Sequence, residues 1–291
     1  MAVVNTPLPE LRNNPHWSYS RINSLVSHCS LQWAFRYVYH QDPEFTPVSL
    51  IFGSAFHRTA ACVHARIRDG QEVTRKEATE MFTDYFQDMI PVSEPEVKFK
   101  DSENQSDLER QGQAMAVTLL ENIDRSRKII GLSVSFSAVL RNRFGEQVQR
   151  PLIGEYDMLA EEENGNTVIT DWKTSARRWP ENRVKTCLQA TCYLYGMMEN
   201  EAPSEPPGFE YAVVTKTKVP AFQTLSTVRT EDDFIRLGEI VRVLERRINS
   251  EAFLPDNSSN DCANCPYPSA CRSWHHVRNG RVFTPGSIRS A

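Results

Sequence analysis

The Asn164-Gly165 pair narrows the fold of this chain more than any other feature. It lies in Glu163-Asn164-Gly165-Asn166, between two strand-like stretches, Pro151–Ala160 and Thr167–Trp172. An Asn-Gly pair in that setting is the strongest short-range signal for a tight antiparallel hairpin. Gly154-Glu155-Tyr156-Asp157 falls on the first arm and Thr170-Asp171-Trp172-Lys173 on the second. Side chains alternate between the faces of a strand, so Asp171 and Lys173 point to one side. Two acids from neighbouring strands then converge beside an ammonium.

Those residue types suit hydrolysis of a phosphodiester. A divalent ion held by two carboxylates neutralises the phosphate, generates hydroxide and stabilises the leaving oxygen. Mg²⁺ or Mn²⁺ takes oxygen ligands readily, and Lys173 is placed to act on the attacking water. Asp-x-Lys alone is weak: in a chain with 24% charged residues, it equally describes a solvated strand end with an ion pair. Company strengthens it. Gln189 and Tyr193 are four apart in the helical stretch Glu181–Tyr195 and share a helix face, although ordinary packing would explain either one. His57, in the apolar helical run Leu50–Ile67, would by itself be a structural histidine; beside the acids it becomes a supplementary metal ligand.

A second group is made of thiols. Cys262, Cys265 and Cys271 fall within ten residues, and Cys29 lies near the other end. With Pro266 and Pro268 in the loop, such thiolates can wrap a soft metal centre. Zinc and an iron–sulfur cluster both satisfy that ligand type. Disulfides are disfavoured, because the seven cysteines are an odd count and Met1-Ala2-Val3-Val4-Asn5 carries no secretory leader. The expected location is therefore the reducing cytoplasm. Cys62, Cys187 and Cys192 lie in apolar helical stretches and read as small buried hydrophobes.

In chain order, His57, Asp157, Asp171-Trp172-Lys173 and Gln189-x-x-x-Tyr193, bracketed by Cys29 and Cys262-x-x-Cys265-x5-Cys271, resemble the RecB-type branch of the PD-(D/E)XK nuclease superfamily. Within it the pattern is similar to the iron–sulfur members: the AddB nuclease domain, stand-alone RecB-family exonucleases and the CRISPR-associated nuclease of spacer acquisition. The resemblance implies an α/β restriction-endonuclease-like core, a small mixed sheet flanked by helices. It also implies a helical insertion and a staple joining the two ends, in which Cys29, Cys262, Cys265 and Cys271 hold a [4Fe–4S] cluster. The implied activity is Mg²⁺- or Mn²⁺-dependent DNA exonuclease, acting on single strands or DNA ends in repair, recombination or CRISPR-type processing. Asp157, Asp171 and the backbone carbonyl of Trp172 would bind the ion with His57 as an auxiliary ligand. Lys173 would work on water, and Gln189 and Tyr193 would position Lys173 and substrate.

Periodicity supplies the rest of the expected architecture. Helices are predicted over 18–37 with Ser20 as N-cap, over 50–68, 74–89, 107–130 and 231–249, and around Gln189. Strands are predicted over 132–140, 151–160, 167–172, 209–215 and 222–228. This gives a tail 1–17 and one domain 18–275, with an insertion about 70–130, a core about 131–228 and a cluster segment 262–271, followed by a tail 276–291. No apolar run is long enough to span a membrane. A net charge of −4 excludes indiscriminate nucleic-acid binding and leaves room for a local basic path. Arg177, Arg178, Arg183 and Lys185 are its candidates, with Arg141, Arg143, Lys216 and Lys218 behind them and Trp179 as a base-stacking residue. The chain has no G-x-x-x-x-G-K-[ST] loop, so unwinding would fall to a helicase or another DNA-processing partner. In a prokaryote or phage the expected setting is the nucleoid. The rival reading is a non-cutting nucleic-acid-binding subunit of a larger complex.

Overall fold

The computed structural model describes residues 6–201, 203, 205–256 and 260–279; the ends of both expected tails, 1–5 and 280–291, lie outside the described residues. Three short helices open the chain: α1 (Leu8–Leu11), α2 (Tyr19–Ser27) and α3 (Ser30–Tyr37). The short strand β1 (Thr46–Pro47) leads into α4 (Val48–Arg68) and α5 (Arg75–Met89), and β2 (Val97–Lys98) precedes α6 (Gln105–Glu121). Three strands follow: β3 (Lys128–Ala138), β4 (Leu152–Glu161) and β5 (Thr167–Ser175). Next come α7 (Glu181–Thr186), α8 (Leu188–Glu201), β6 (Gly208–Thr215), β7 (Phe222–Thr227) and α9 (Glu231–Asn249). A 3₁₀ turn over Asn260–Asn264 and α10 (Pro268–Asn279) complete the described chain.

The five strands form one sheet in the order β3-β4-β5-β6-β7. Only β5 and β6 are parallel, joined by the α7–α8 crossover that a parallel pair requires. Helices cover both faces. Ile22, Leu31, Trp33, Leu194 and Val241 from α2, α3, α8 and α9 build one core. Phe52, Phe56, Phe82, Phe86 and Met115 from α4, α5 and α6 build the other. Along β6, Val213 belongs to the first core and Ala212 and Val214 to the second, the pattern of a strand buried on both sides. The architecture is the mixed α/β sheet with flanking helices expected from the sequence.

Local chemistry fixes the β4–β5 hairpin. Gly165 has φ +84°, a conformation glycine adopts without the steric cost of a Cβ, and its N–H donates to the Glu162 carbonyl at 2.9 Å. The Asn164 side chain accepts from the Asn166 amide at 2.8 Å.

Several boundaries differ from the sequence expectation. The opening helix breaks at His28 into α2 and α3, because the Cys29 sulfur caps α3 by accepting from the Gln32 amide at 3.5 Å. The N-cap of α2 is Ser18, whose hydroxyl accepts from the Arg21 amide at 3.3 Å, not Ser20. The helix expected to reach residue 130 ends at Glu121; Asp124 then accepts from the Ser126 amide and hydroxyl, a turn that leaves 128–130 free to start β3. The helix carrying Gln189 divides at Cys187, which has extended backbone. The packed structure also takes in Trp17, fully buried, ahead of the expected boundary at residue 18. No helix of the described residues is long and apolar enough to cross a membrane.

Candidate active site

Pairing of β4 with β5 runs from Glu161↔Thr167 to Met158↔Thr170 and stops there. Beyond Thr170, β5 continues on β6 alone, from Asp171↔Tyr211 to Ser175↔Thr215. The far end of β4 is taken instead by Trp17: its amide donates to the Pro151 carbonyl at 2.7 Å and its carbonyl accepts from the Ile153 amide at 2.8 Å. A wedge therefore opens between β4 and β5 at residues 154–157. Asp157 bridges it, with Oδ2 accepting from the Trp172 amide at 2.9 Å. The N–H and C=O of one strand residue point the same way, so the Trp172 carbonyl faces this wedge too.

Asp171 is 1% exposed. Its Oδ1 accepts from Gln189 Nε2 at 2.5 Å, and its Oδ2 forms an ion pair with the Lys173 ammonium. That oxygen is buried, and the Lys173 cation is the main group that offsets its charge. Such an atom is costly unless something else occupies its lone pairs. A divalent cation would do so, and the carboxylate, carbonyl and imidazole donors of the wedge match its chemistry.

The opposite face contributes His57 from α4, with Nδ1 at 3.2 Å from Asp157 Oδ2 and its ring edge-on to Trp172 at 6.3 Å. Tyr193 lies one turn beyond Gln189 and meets Phe136, Tyr156 and Phe209 edge-on. The close packing explains Gly154: a Cβ there would sit 2.5 Å from the Phe136 ring. The sheet end thus gathers His57, Asp157, Asp171, Lys173, Gln189 and Tyr193.

Electrostatics divide the two acids. Burial is the largest influence on Asp171 and raises its pKa to about 6, against the attraction of Lys173 and with added repulsion from Asp157. Burial also works against Asp157 as an anion, but His57, Lys173 and the Trp172 amide together hold its pKa below the ordinary 3.8. His57 is held above its usual value: burial favours the neutral ring, and the Asp157 carboxylate outweighs it.

Glu155 and Tyr19, for which the sequence alone suggests no role, also border this site. Glu155 is two residues before Asp157 in β4 and half-buried; burial, then Asp157, raises its pKa. The i, i+2 spacing was the signal for it. Tyr19 has its hydroxyl 3.9 Å from Cys187 Sγ, and burial, Cys187 and Asp171 push its pKa up; nothing local marks it.

Among the basic candidates, Arg177, Arg178, Arg183 and Lys185 are exposed just after β5. Trp179 is buried instead of open to a base: its indole donates to Ser175 Oγ at 3.1 Å, and Arg183 covers the ring at 3.9 Å. Arg141 faces Glu199 at 3.8 Å, and Arg143 lies over Phe144. Lys216 packs over Phe52 at 4.0 Å, where burial lowers its pKa to about 8.

The thiols come together at the other end. Cys29, Cys262, Cys265 and Cys271 line one cavity of about 190 Å³ with Phe35 and Pro268. Burial and the neighbouring sulfurs raise the pKa of Cys265 and Cys271. Among the described residues, however, no three His, Cys, Asp or Glu side chains are drawn together tightly enough to form a ready-made metal site, here or in the wedge. In the wedge, Lys173 and His57 already engage the two carboxylates.

The chain belongs to the PD-(D/E)XK nuclease superfamily, whose sequence model matches residues 16–272. The fold is similar to that of a candidate exonuclease from Eubacterium rectale, with a TM-score of 0.53 at 15% identity over 99% of this chain and 97% of that one. A second solved chain, SSO0001, matches at 12% identity over 87% of this chain and 93% of its own, with a TM-score of 0.33. No curated protein matches the sequence significantly.

Proposed function

We propose that this nuclease-superfamily chain is a RecB-like, metal-dependent DNA exonuclease acting on single strands or DNA ends. The observation that carries the reading is the wedge, where Asp157 and the buried carboxylate of Asp171 meet beside Lys173. Asp157, Asp171 and the Trp172 carbonyl, with His57 as auxiliary, would hold Mg²⁺ or Mn²⁺, which supplies Lewis-acid charge neutralisation at the scissile phosphate. Lys173 Nζ orients the attacking water and places positive charge beside the phosphate. Gln189 fixes Asp171 Oδ1, Oδ2 faces Lys173, whose place a cation would take, and Tyr193 braces Gln189 and the adjoining end of β4. Arg177, Arg178, Arg183 and Lys185 are proposed to grip phosphates on the exposed side.

The second part of the proposal is that Cys29, Cys262, Cys265 and Cys271 hold a [4Fe–4S] cluster joining the ends of the domain. Their common cavity supports this. Closing so long a loop makes cluster binding part of the folding free energy. Repair, recombination or CRISPR-type processing, with a helicase supplying unwound strand, is the corresponding setting.

Digestion of end-labelled single- and double-stranded DNA, each end blocked in turn, with Mg²⁺, Mn²⁺ or EDTA, tests the activity. Metal-dependent shortening from an open end is expected. Binding without cleavage under all metals would favour the non-cutting subunit. Iron analysis of the purified protein tests the cluster, and zinc alone would overturn it.

A further inference from the structure

The catalytic reading leaves a large groove of the molecule without a role. It is a cleft of about 780 Å³ between α2 and α3 on one side and β1 with the start of α4 on the other, within the size range of ligand-binding clefts. Its floor is aromatic, with Trp33 and Tyr267 buried. Its walls carry the half-buried rings of Tyr37 and Phe45 and the exposed Arg36. Cations lie on these rings: Arg36, in the lining, at 5.3 Å from the Tyr37 centroid, and, outside the lining, Arg21 at 4.5 Å from the same ring and Lys98 at 4.4 Å from the Phe45 centroid. Among the described residues, Glu94 is the one acid in the lining. Leu50 stands on the rim, 58% exposed.

Planar rings interleaved with fixed cations are what an unpaired polynucleotide needs, bases for stacking and phosphates for charge. A flat protein partner would not call for this alternation, and a duplex keeps its base faces stacked. The groove also lies in the right place. Leu50, on its rim, and His57, in the catalytic wedge, are on the same helix, and seven residues of helix span about 10 Å. The other end of the groove shares Cys29 and Gln32 with the thiol-lined cavity.

We propose that this groove is the binding path of the single strand, with bases against Phe45 and the Arg36–Tyr37 stack and phosphates on Arg36, leading along α4 to the wedge. The proposal rests on the nuclease reading and deepens it by naming where the substrate strand is held.

The test is fluorescence anisotropy of 5′-labelled oligo(dT) in EDTA, with Lys173→Ala as the background. Arg36→Glu combined with Phe45→Ala should weaken binding about tenfold or more, the loss of one stacking contact and one phosphate contact. The salt dependence should flatten by about one ion per lost cation. Arg36→Glu alone, an exposed substitution, covers the case in which the double variant folds poorly. Lys76→Glu on α5, whose side chain is 84% exposed, is the control and should change affinity much less. Duplex binding should fall less than single-strand binding, and an oligo(rU) arm separates RNA from DNA as the strand held. Unchanged oligo(dT) affinity, or equal loss in Lys76→Glu, would overturn the groove. If the parent chain binds strand through the groove yet cuts nothing with Mg²⁺ or Mn²⁺, the catalytic reading fails and the groove stands.

Discussion

Asp171→Asn should make the protein more stable in EDTA and inactive in Mg²⁺. The carboxylate is 1% exposed, and its pKa is raised from 3.8 to about 6, chiefly by burial. The folded state thus holds this proton more tightly than the unfolded chain does. The contribution to stability is full below about pH 4 and is lost as pH rises through about 6. At pH 8 the ionised folded protein bears a cost of ~3 kcal/mol, at about 1.4 kcal/mol for each tenfold change in proton affinity. Asparagine keeps the shape and accepts from Gln189 without that charge but gives up the Lys173 ion pair, so the ~3 kcal/mol is an upper bound on the gain, on the order of 6 °C in melting temperature for a chain of this size. The gain should shrink at pH 5. Metal should reverse the order: an ion at about 1,000 times its Kd stabilises the parent by about 4.1 kcal/mol and leaves the variant nearly unmoved. Thermal melts at pH 5 and pH 8, with EDTA or a Mg²⁺ series, measure all four quantities. An Asp171→Asn variant no more stable than the parent at pH 8 in EDTA would refute the argument that this carboxylate is held at a cost for a cation.

Lys173→Ala should keep the fold and reduce metal-dependent cleavage by about 100-fold or more, the scale of losing one preorganised charge at a transition state. His57→Ala should cost less than Asp157→Ala, and equal losses would make the imidazole a principal ligand. Gly154→Ala, whose Cβ would lie 2.5 Å from Phe136, should lower stability by about 1–3 kcal/mol; an unchanged melt would show that the ring can yield. Cys265→Ser should lose iron and melt lower, whereas Cys187→Ser should keep full iron. Iron per chain decides between them, and full iron in Cys265→Ser would exclude Cys265 from the ligand set.

The parts of the fold legible in the sequence are those set by neighbours in the chain. The Asn164-Gly165 turn fixed the hairpin, and the two-residue spacing put Asp171 and Lys173 on one side. Two misses were local, the Ser18 cap and the Asp124 turn; in the others a distant residue decided. The helix break before Cys29 depends on chain from the far end: Leu254 O accepts from Ser30 Oγ at 3.0 Å, and the Asp256 amide donates to Cys29 Sγ at 3.4 Å. The break at Cys187 is held by Arg229, which donates to the Val184 and Cys187 carbonyls and to Thr191. Trp179 looked like an open aromatic because Gln223, which accepts from its amide, lies 44 residues on. The wedge itself was invisible, since it exists only because Trp17 pairs with one end of β4 while β6 keeps β5 on its own line.

That origin ties the candidate chemistry to the completion of the fold. The hairpin alone sets two carboxylates near each other, and like charges in a site losing its water repel. A one-residue slip of β4 on β5 would carry Asp171 and Lys173 to the opposite face, so the turn protects the arrangement without stabilising it. Within the hairpin, Lys173 and the Trp172 amide offset part of that repulsion, and the rest comes from other elements: His57 against Asp157 from the α4 side, and Gln189 on Asp171 from α8. Neither helix belongs to the hairpin. The acids therefore reach their final protonation states only when both helical layers are docked, and a cation entering the wedge takes over a role that Lys173 and His57 fill by themselves. Substitutions loosening either layer, such as at Arg229, should weaken metal affinity before they unfold the sheet.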